Sequence, residues 1–162
     1  MGRIIDKEID GLRFRFHTIP GSIALPHAPR AQAHFLAANE AAAVGLPGPM
    51  QLAAMLKRLD AAEVRFWCDL LVWSPKRGQG QVEVEVDSGA GPNWKPLKVA
   101  LDAELIPGGI PTIEKALLFA MDLNCGPFGG LGDLFRVLDR PEEAPEEEPS
   151  SSSESETSGE SG

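Results

Sequence analysis

The amino-acid sequence predicts an α+β fold: a helix-dominated single domain with a small N-terminal β-hairpin, a short Val-rich strand, and a disordered acidic C-terminal tail. Three observations predict it. Apolar and polar residues alternate through Leu12-Arg-Phe-Arg-Phe-His-Thr18 and again through Gln81-Val-Glu-Val-Glu-Val86, the period of a half-buried strand. Leu52, Met55, Leu56 and Leu59 recur at the i, i+3, i+4, i+7 spacing of one helix face. At Pro141 the composition changes to Pro, Glu and Ala and then to Ser, Glu, Thr and Gly, with no residue able to anchor a core. Residues 1–140 are therefore read as one globular domain and residues 141–162 as a disordered Glu/Ser-rich tail.

The elements follow in order. Asp10-Gly11 is a turn signal, so Arg3–Ile9, with Ile4 and Ile5, pairs with the Leu12–Thr18 strand as a hairpin. Leu12, Phe14 and Phe16 share the buried face. Pro20, Pro26 and Pro29 break the next stretch, and an Ala-rich helix is expected from Arg30 to Val44, stopped by Gly45-Leu-Pro47. The Leu52–Leu59 pattern gives a second helix. Asp60 and Glu63 stand at N-cap and N3 spacing and open a third, expected to run to Trp73 before Pro75. Glu83 and Glu85 of the Val-rich strand are expected to face water. Trp94 to Leu101 reads equally as strand or short helix. From Thr112 to Leu123 the chain is apolar nearly all round, so this helix is either buried centrally or covers a partner surface. Gly126-Pro127 closes it, and a short amphipathic piece, Leu131–Leu138, follows a Gly-rich link.

Charge excludes one broad class. The net charge is −9, but the segment from Pro141 to Gly162 holds eight Glu and no Lys or Arg. The body is thus close to neutral and offers no basic surface for phosphates, so no nucleic-acid partner is expected. No apolar run approaches the length of a membrane span, and Met1-Gly-Arg-Ile-Ile-Asp-Lys-Glu8 lacks a signal-peptide core, so no membrane association and a cytoplasmic location are expected. Cys68 and Cys125 sit in apolar surroundings and read as buried free thiols.

Chemistry-bearing patterns are sparse. His17, His27 and His34 form no metal-ligand spacing, and Pro29 between the last two argues against a shared helix face. Ser22, Ser74 and Ser88 precede the tail without a nearby base. Gly126-Pro-Phe-Gly-Gly-Leu-Gly132 follows a helix rather than a strand and lacks the Lys-Ser/Thr of a phosphate loop, so it reads as a helix stop and hinge. Asp102 and Glu104 read as solvated. The expectation is no catalytic residue, no metal and no cofactor. The large apolar side chains Phe66, Trp67, Trp73, Trp94, Phe119, Phe128 and Phe135 are mostly core, with the remainder available as an interaction patch.

From Val82 to Phe135 the order of features is notable: the alternating Val strand, Trp94-Lys-Pro-Leu97, Ile106-Pro-Gly-Gly109, and the helix Ile113-Glu-Lys-Ala-Leu-Leu-Phe-Ala-Met-Asp-Leu-Asn124, followed by Gly126-Pro-Phe128. This order resembles the C-terminal half of tail assembly chaperones of long-tailed bacteriophages, and the Asp10-Gly11 strand and following helices resemble the front half. Cys125 stands where the family pattern has Phe. The resemblance implies a non-enzymatic protein that binds the tape measure protein and helps recruit tail tube protein during tail morphogenesis. It also implies residence in the host cytoplasm and absence from the finished virion. The protein-binding residues it nominates are Trp94, Ile113, Leu117, Phe119, Met121, Asn124 and Phe128, with Asn124 more plausibly a helix cap than a client contact. The alternative is a small structural tail or head–tail joining protein retained in the particle. Oligomeric state is not encoded in any pattern.

Overall fold

The computed structural model describes residues 2–73 and 80–126. The predicted stop at Pro75, Ser74, Phe128, the Leu131–Leu138 piece and the acidic tail lie outside the described residues.

Four strands form one antiparallel sheet in the order β1 (Ile4–Ile9), β2 (Leu12–His17), β3 (Gln81–Asp87), β4 (Pro92–Pro96). The hairpin closes at Asp10 and Gly11, with φ of 51° and 79°. Two successive left-handed residues match the twist of the flanking strands, which is why Asp-Gly suits this turn. The pairing of Phe14 with Val84 and of Phe16 with Val82 aligns the two alternating segments. Their apolar residues therefore share one face, and all five of Phe14, Phe16, Val82, Val84 and Val86 are buried. The ambiguous Trp94–Leu101 segment is both things in turn: β4 runs to Pro96, and a short helix begins at Leu97. Pro92 and Pro96 are tolerated because β4 is an edge strand.

Between β2 and β3 run α1 (Gly21–Ala24), a 3-10 turn (Leu25–His27), α2 (Ala28–Ala43), α3 (Gly48–Leu56) and α4 (Ala61–Leu71). After β4 come α5 (Leu97–Asp102) and α6 (Gly109–Cys125). The prolines break less than expected. Pro29, Pro49 and Pro111 all sit in the first turn of a helix, where the missing N–H has no intrahelical partner to lose. Consequently α2 starts at Ala28 rather than Arg30, and α3 starts at Gly48 and ends before Leu59. The helix opened by Asp60 ends at Leu71, and Trp73 instead bridges to Gln81.

Helix α6 lies at the centre, touching α1, α2, α4 and β1. Of the two roles its all-round apolar sequence allows, it takes the buried one: Ala116, Leu118, Ala120, Met121 and Cys125 have no solvent exposure. Polar ties fix it at both ends. The hydroxyl of Thr112, fully buried, donates to Asp10 (2.8 Å), and Lys115 Nζ donates to the other oxygen of the same carboxylate (2.7 Å). Burial alone pushes the Asp10 carboxyl up, but the hydrogen bonds from Lys115 and Thr112 outweigh it and hold it below its ordinary value. The Gly108-Gly109 pair of the sequence motif belongs to this joint. A Cβ at Gly108 would lie 1.8 Å from Thr112 Oγ1, and Gly109 has φ 59°.

The outer face of the sheet is not simply solvated. Glu83 pairs with His17 (2.8 Å) and Glu85 with Arg13 (3.0 Å), and both carboxylates are half-buried in a lattice that also joins Asp6 to Arg15 (2.9 Å). This corrects the expectation that the two glutamates face open water: cross-strand register places a basic residue of β2 opposite or diagonal to each.

Cys68 and Cys125 are both buried and unpaired. Burial pushes the Cys68 thiol up to about 12, with Asp69 adding to the shift, and the Cys125 thiol up to about 11. The thiolate is the reactive form. Ellman's reagent at neutral pH is thus expected to label neither thiol in the native chain and both in denaturant; prompt labelling of the native chain would contradict this packing.

Candidate apolar binding crevice

The residues nominated from sequence scatter when placed on the fold. Trp94 lies on the outer face of the sheet, its ring under the guanidinium of Arg15 (4.0 Å from carbon to ring centroid) and near that of Arg13 (5.7 Å). The α6 residues lie behind the opposite face. Phe119 packs on Phe16 (centroids 4.8 Å apart), and Met121 is wholly buried. Met121 is therefore out of reach of a partner, while Trp94 and Phe119 are half-buried and engaged by these neighbours within the fold. Asn124 is neither a left-handed cap nor a free contact. Its Oδ1 accepts from the Ile19 backbone N–H (2.9 Å), while its Nδ2 donates to the Ala120 carbonyl (2.7 Å), pinning the end of α6 to the segment after β2. The helix runs on to Cys125, and Gly126 keeps a right-handed φ of −62°. Phe128 lies outside the described residues.

Two nominated residues do meet at a surface. Ile113 and Leu117 floor an apolar crevice of about 210 Å³. One wall is Leu56 at the end of α3, Leu59 in the link that follows, and Val64 and Cys68 of α4; the other is Leu101 of α5 and Ile110 of α6, with Trp73 closing one side. The 3.6-residue period explains the floor: Ile110, Ile113, Glu114 and Leu117 form one stripe of α6, and α4 does not fully cover it. The rim is exposed, Ile110 at 59% and Val64 at 37%. Glu114 is the one charged residue of the lining. It is half-buried, and its carboxylate has no hydrogen bond or ion pair among the described residues. Its neighbour Lys115 is engaged by Asp10 on another side of the helix.

The exposed large apolar side chains are aliphatic: Ile4, Leu25, Val44, Met50, Val64 and Ile110 among them. Phe66, Trp67, Trp94 and Phe119 are buried or half-buried and lie outside this crevice, and half-buried Trp73 forms one side of it. A second, wider hollow of about 420 Å³ lies beside Arg3, Ile19, Leu25, Leu123 and Asn124.

A polar cluster joins α2 to α4. The Glu63 carboxylate accepts from Arg30, from His34 Nε2 (2.8 Å) and from Trp67 Nε1 (3.2 Å), while its backbone N–H donates to the Asp60 cap (2.8 Å). The N-cap and N3 spacing of Asp60 and Glu63 is that of a capping box, in which each residue bonds the other's backbone N–H. Only the cap half forms, because the side chain turns to α2 instead. His27 packs on Phe66 and His34 on Trp67, so the two histidines do share a side of the helical run despite Pro29. The Arg30 bond, opposed by burial and helped by His34, holds the Glu63 carboxyl down at about 2. Every acceptor here is committed to a helix–helix joint, and Trp67 is fully buried.

Among the described residues no three His, Cys, Asp or Glu side chains converge to hold a metal ion, and no helix is long and apolar enough to cross a membrane. In comparisons with known proteins, no family model, no curated protein and no solved structure matches the chain.

Proposed function

We propose that this chain is a non-enzymatic binding protein of the phage tail assembly chaperone kind, which shelters an apolar segment of the tape measure protein and helps recruit tail tube subunits. The observation that carries the reading is the aliphatic crevice on α6, the helix on which the sequence resemblance rests. It offers a client a concave apolar surface with an exposed rim, the usual form of a recognition site. The buried part of α6 supplies rigidity, and the crevice beside it, rather than the helix as a whole, supplies the contact. The Glu-rich residues beyond Pro141 fit such a role by adding like charge to a complex whose client is apolar.

Co-expression with the tape measure protein of the same phage is the direct test. The expected result is a rise in its soluble fraction and co-purification of the two. An unchanged soluble fraction would sink the proposal. Recovery of the chain from purified virions would replace it with a structural role in the particle.

A further inference from the structure

We infer that the α4–α6 crevice receives one face of a basic amphipathic helix from a partner protein: an aliphatic or aromatic anchor enters the cavity, and an Arg or Lys about one turn away meets Glu114. The inference rests on the binding reading above and deepens it by fixing the chemistry of the occupant.

The anchor follows from size and lining. A dry cavity of ~150 Å³ with aliphatic walls holds a benzene-sized group, so about 210 Å³ holds one large apolar side chain with its neighbouring methylenes. The helical form of the partner follows from the walls. The crevice runs between helices, and the exposed rim residues Val64 and Ile110 stand on either side of it. Anchors at i and i+3 or i+4 on a docking helix suit that shape.

The basic residue follows from Glu114. Glu114 is the one charge on this apolar wall, so a docked segment that covers it strips water from its carboxylate, and a cation on that segment replaces the lost hydration. None of the described basic groups supplies one. A cation brought by the occupant satisfies Glu114 and at the same time selects against acidic helices, since a second carboxylate there would be repelled. Charge complementarity therefore sets the sign of the partner. The chain's own stretch Leu131–Leu138 has a related composition, with Leu134, Phe135 and Arg136, which makes it the natural control.

The test uses the full chain, isotopically labelled, and three capped synthetic helices of about 14 residues. All carry Leu anchors at i and i+4. They differ only at one position a turn away, which is Arg, Gln or Glu. The Arg peptide is expected to shift the amide resonances of Val64, Ile110, Glu114 and Leu117. Its affinity should exceed that of the Gln peptide by about fivefold and that of the Glu peptide by more than about tenfold, with the gap narrowing at high salt. In Glu114→Gln the Arg and Gln peptides should bind alike. Ile110→Asp, at an exposed position, should abolish binding without changing the thermal midpoint. Equal affinity of the three peptides for the unaltered chain, or shifts confined to another surface, would overturn the inference. So would a change at Val64 and Ile110 produced in the free chain by Leu134→Asp, which would mean that the chain fills its own crevice. The same changes on dilution would assign the crevice to a second copy. The two proposals separate cleanly. If the tape measure protein is solubilised equally by the unaltered chain and by Ile110→Asp, the chaperone reading stands and the crevice is not its site. If the Arg peptide binds as described but the tape measure protein is unaffected, the crevice stands and the client is another protein.

Discussion

Met121→Ala is expected to lower the free energy of unfolding by about 2–5 kcal/mol, and at roughly 4 °C per kcal/mol to bring the thermal midpoint down by about 8–20 °C. Met121 has no solvent exposure, and it lies on a helix packed against α1, α2, α4 and β1. Truncation removes the side chain from a place that neighbours on several elements must then collapse to fill. The prediction separates the two roles open to this helix from sequence. Had Met121 been a client contact, its loss would leave stability unchanged within about 0.5 kcal/mol. Ile110→Ala, on the same helix but 59% exposed, is expected to behave in that second way. Urea unfolding of both variants followed by circular dichroism decides it. A wild-type midpoint for Met121→Ala would mean that the centre of the fold is misassigned.

The sequence revealed most where one face of an element is buried and the other is not. Leu12–His17 and Gln81–Asp87 alternate because the sheet is covered by helices on one side only, and Asp60 marks the start of α4 through a local hydrogen bond. Strand order could not be read this way. It depends on the pairing of Phe14 with Val84 across a long insertion of helices, which no local period records. Strand β4 was half hidden by its own prolines, which look like breakers unless the strand is known to lie at an edge. The two readings of α6 were a real degeneracy. A helix apolar on every side has no polar stripe to orient it, and the ties that settle the matter run from Thr112 and Lys115 to Asp10 and from Asn124 to Ile19, about a hundred residues away in sequence.

The crevice was less legible than the fold. Its lining comes from α3, α4, Trp73, α5 and α6, and only Ile113 and Leu117 had been singled out. Ile110 was overlooked because it sits between a glycine and a proline, where a loop is the natural reading. Glu114 and Lys115 looked like an ordinary polar pair. Only the fold separates them, engaging Lys115 with Asp10 and leaving Glu114 on an apolar wall. The Glu63 cluster was missed for a related reason. A residue at N3 explains itself as part of a cap, and its pairing with Arg30 and His34 on α2 leaves no mark in the local spacing.

Glu63→Ala is the second large effect, expected to cost about 1–3 kcal/mol at pH 7. It leaves the Trp67 indole N–H and the His34 ring without their acceptor, both on buried residues, and it releases Arg30 from the joint between α2 and α4. The Asp60 cap is untouched, because it bonds the backbone N–H of residue 63 and not the side chain. The charge can be isolated from the contacts with Glu63→Gln, and the pH dependence then has a definite sign. The folded carboxyl titrates at about 2, below its ordinary 4.5. As the pH falls, the unfolded chain therefore takes up the proton first, so the stabilisation is complete above about pH 4.5 and is lost as the pH drops toward 2. Chemical denaturation of the two chains should show the unaltered protein ahead of Glu63→Gln at pH 7, with the gap shrinking steadily below pH 4.5. A gap that stays constant down to pH 2.5 would show that the carboxylate charge contributes nothing and that shape alone holds the two helices together.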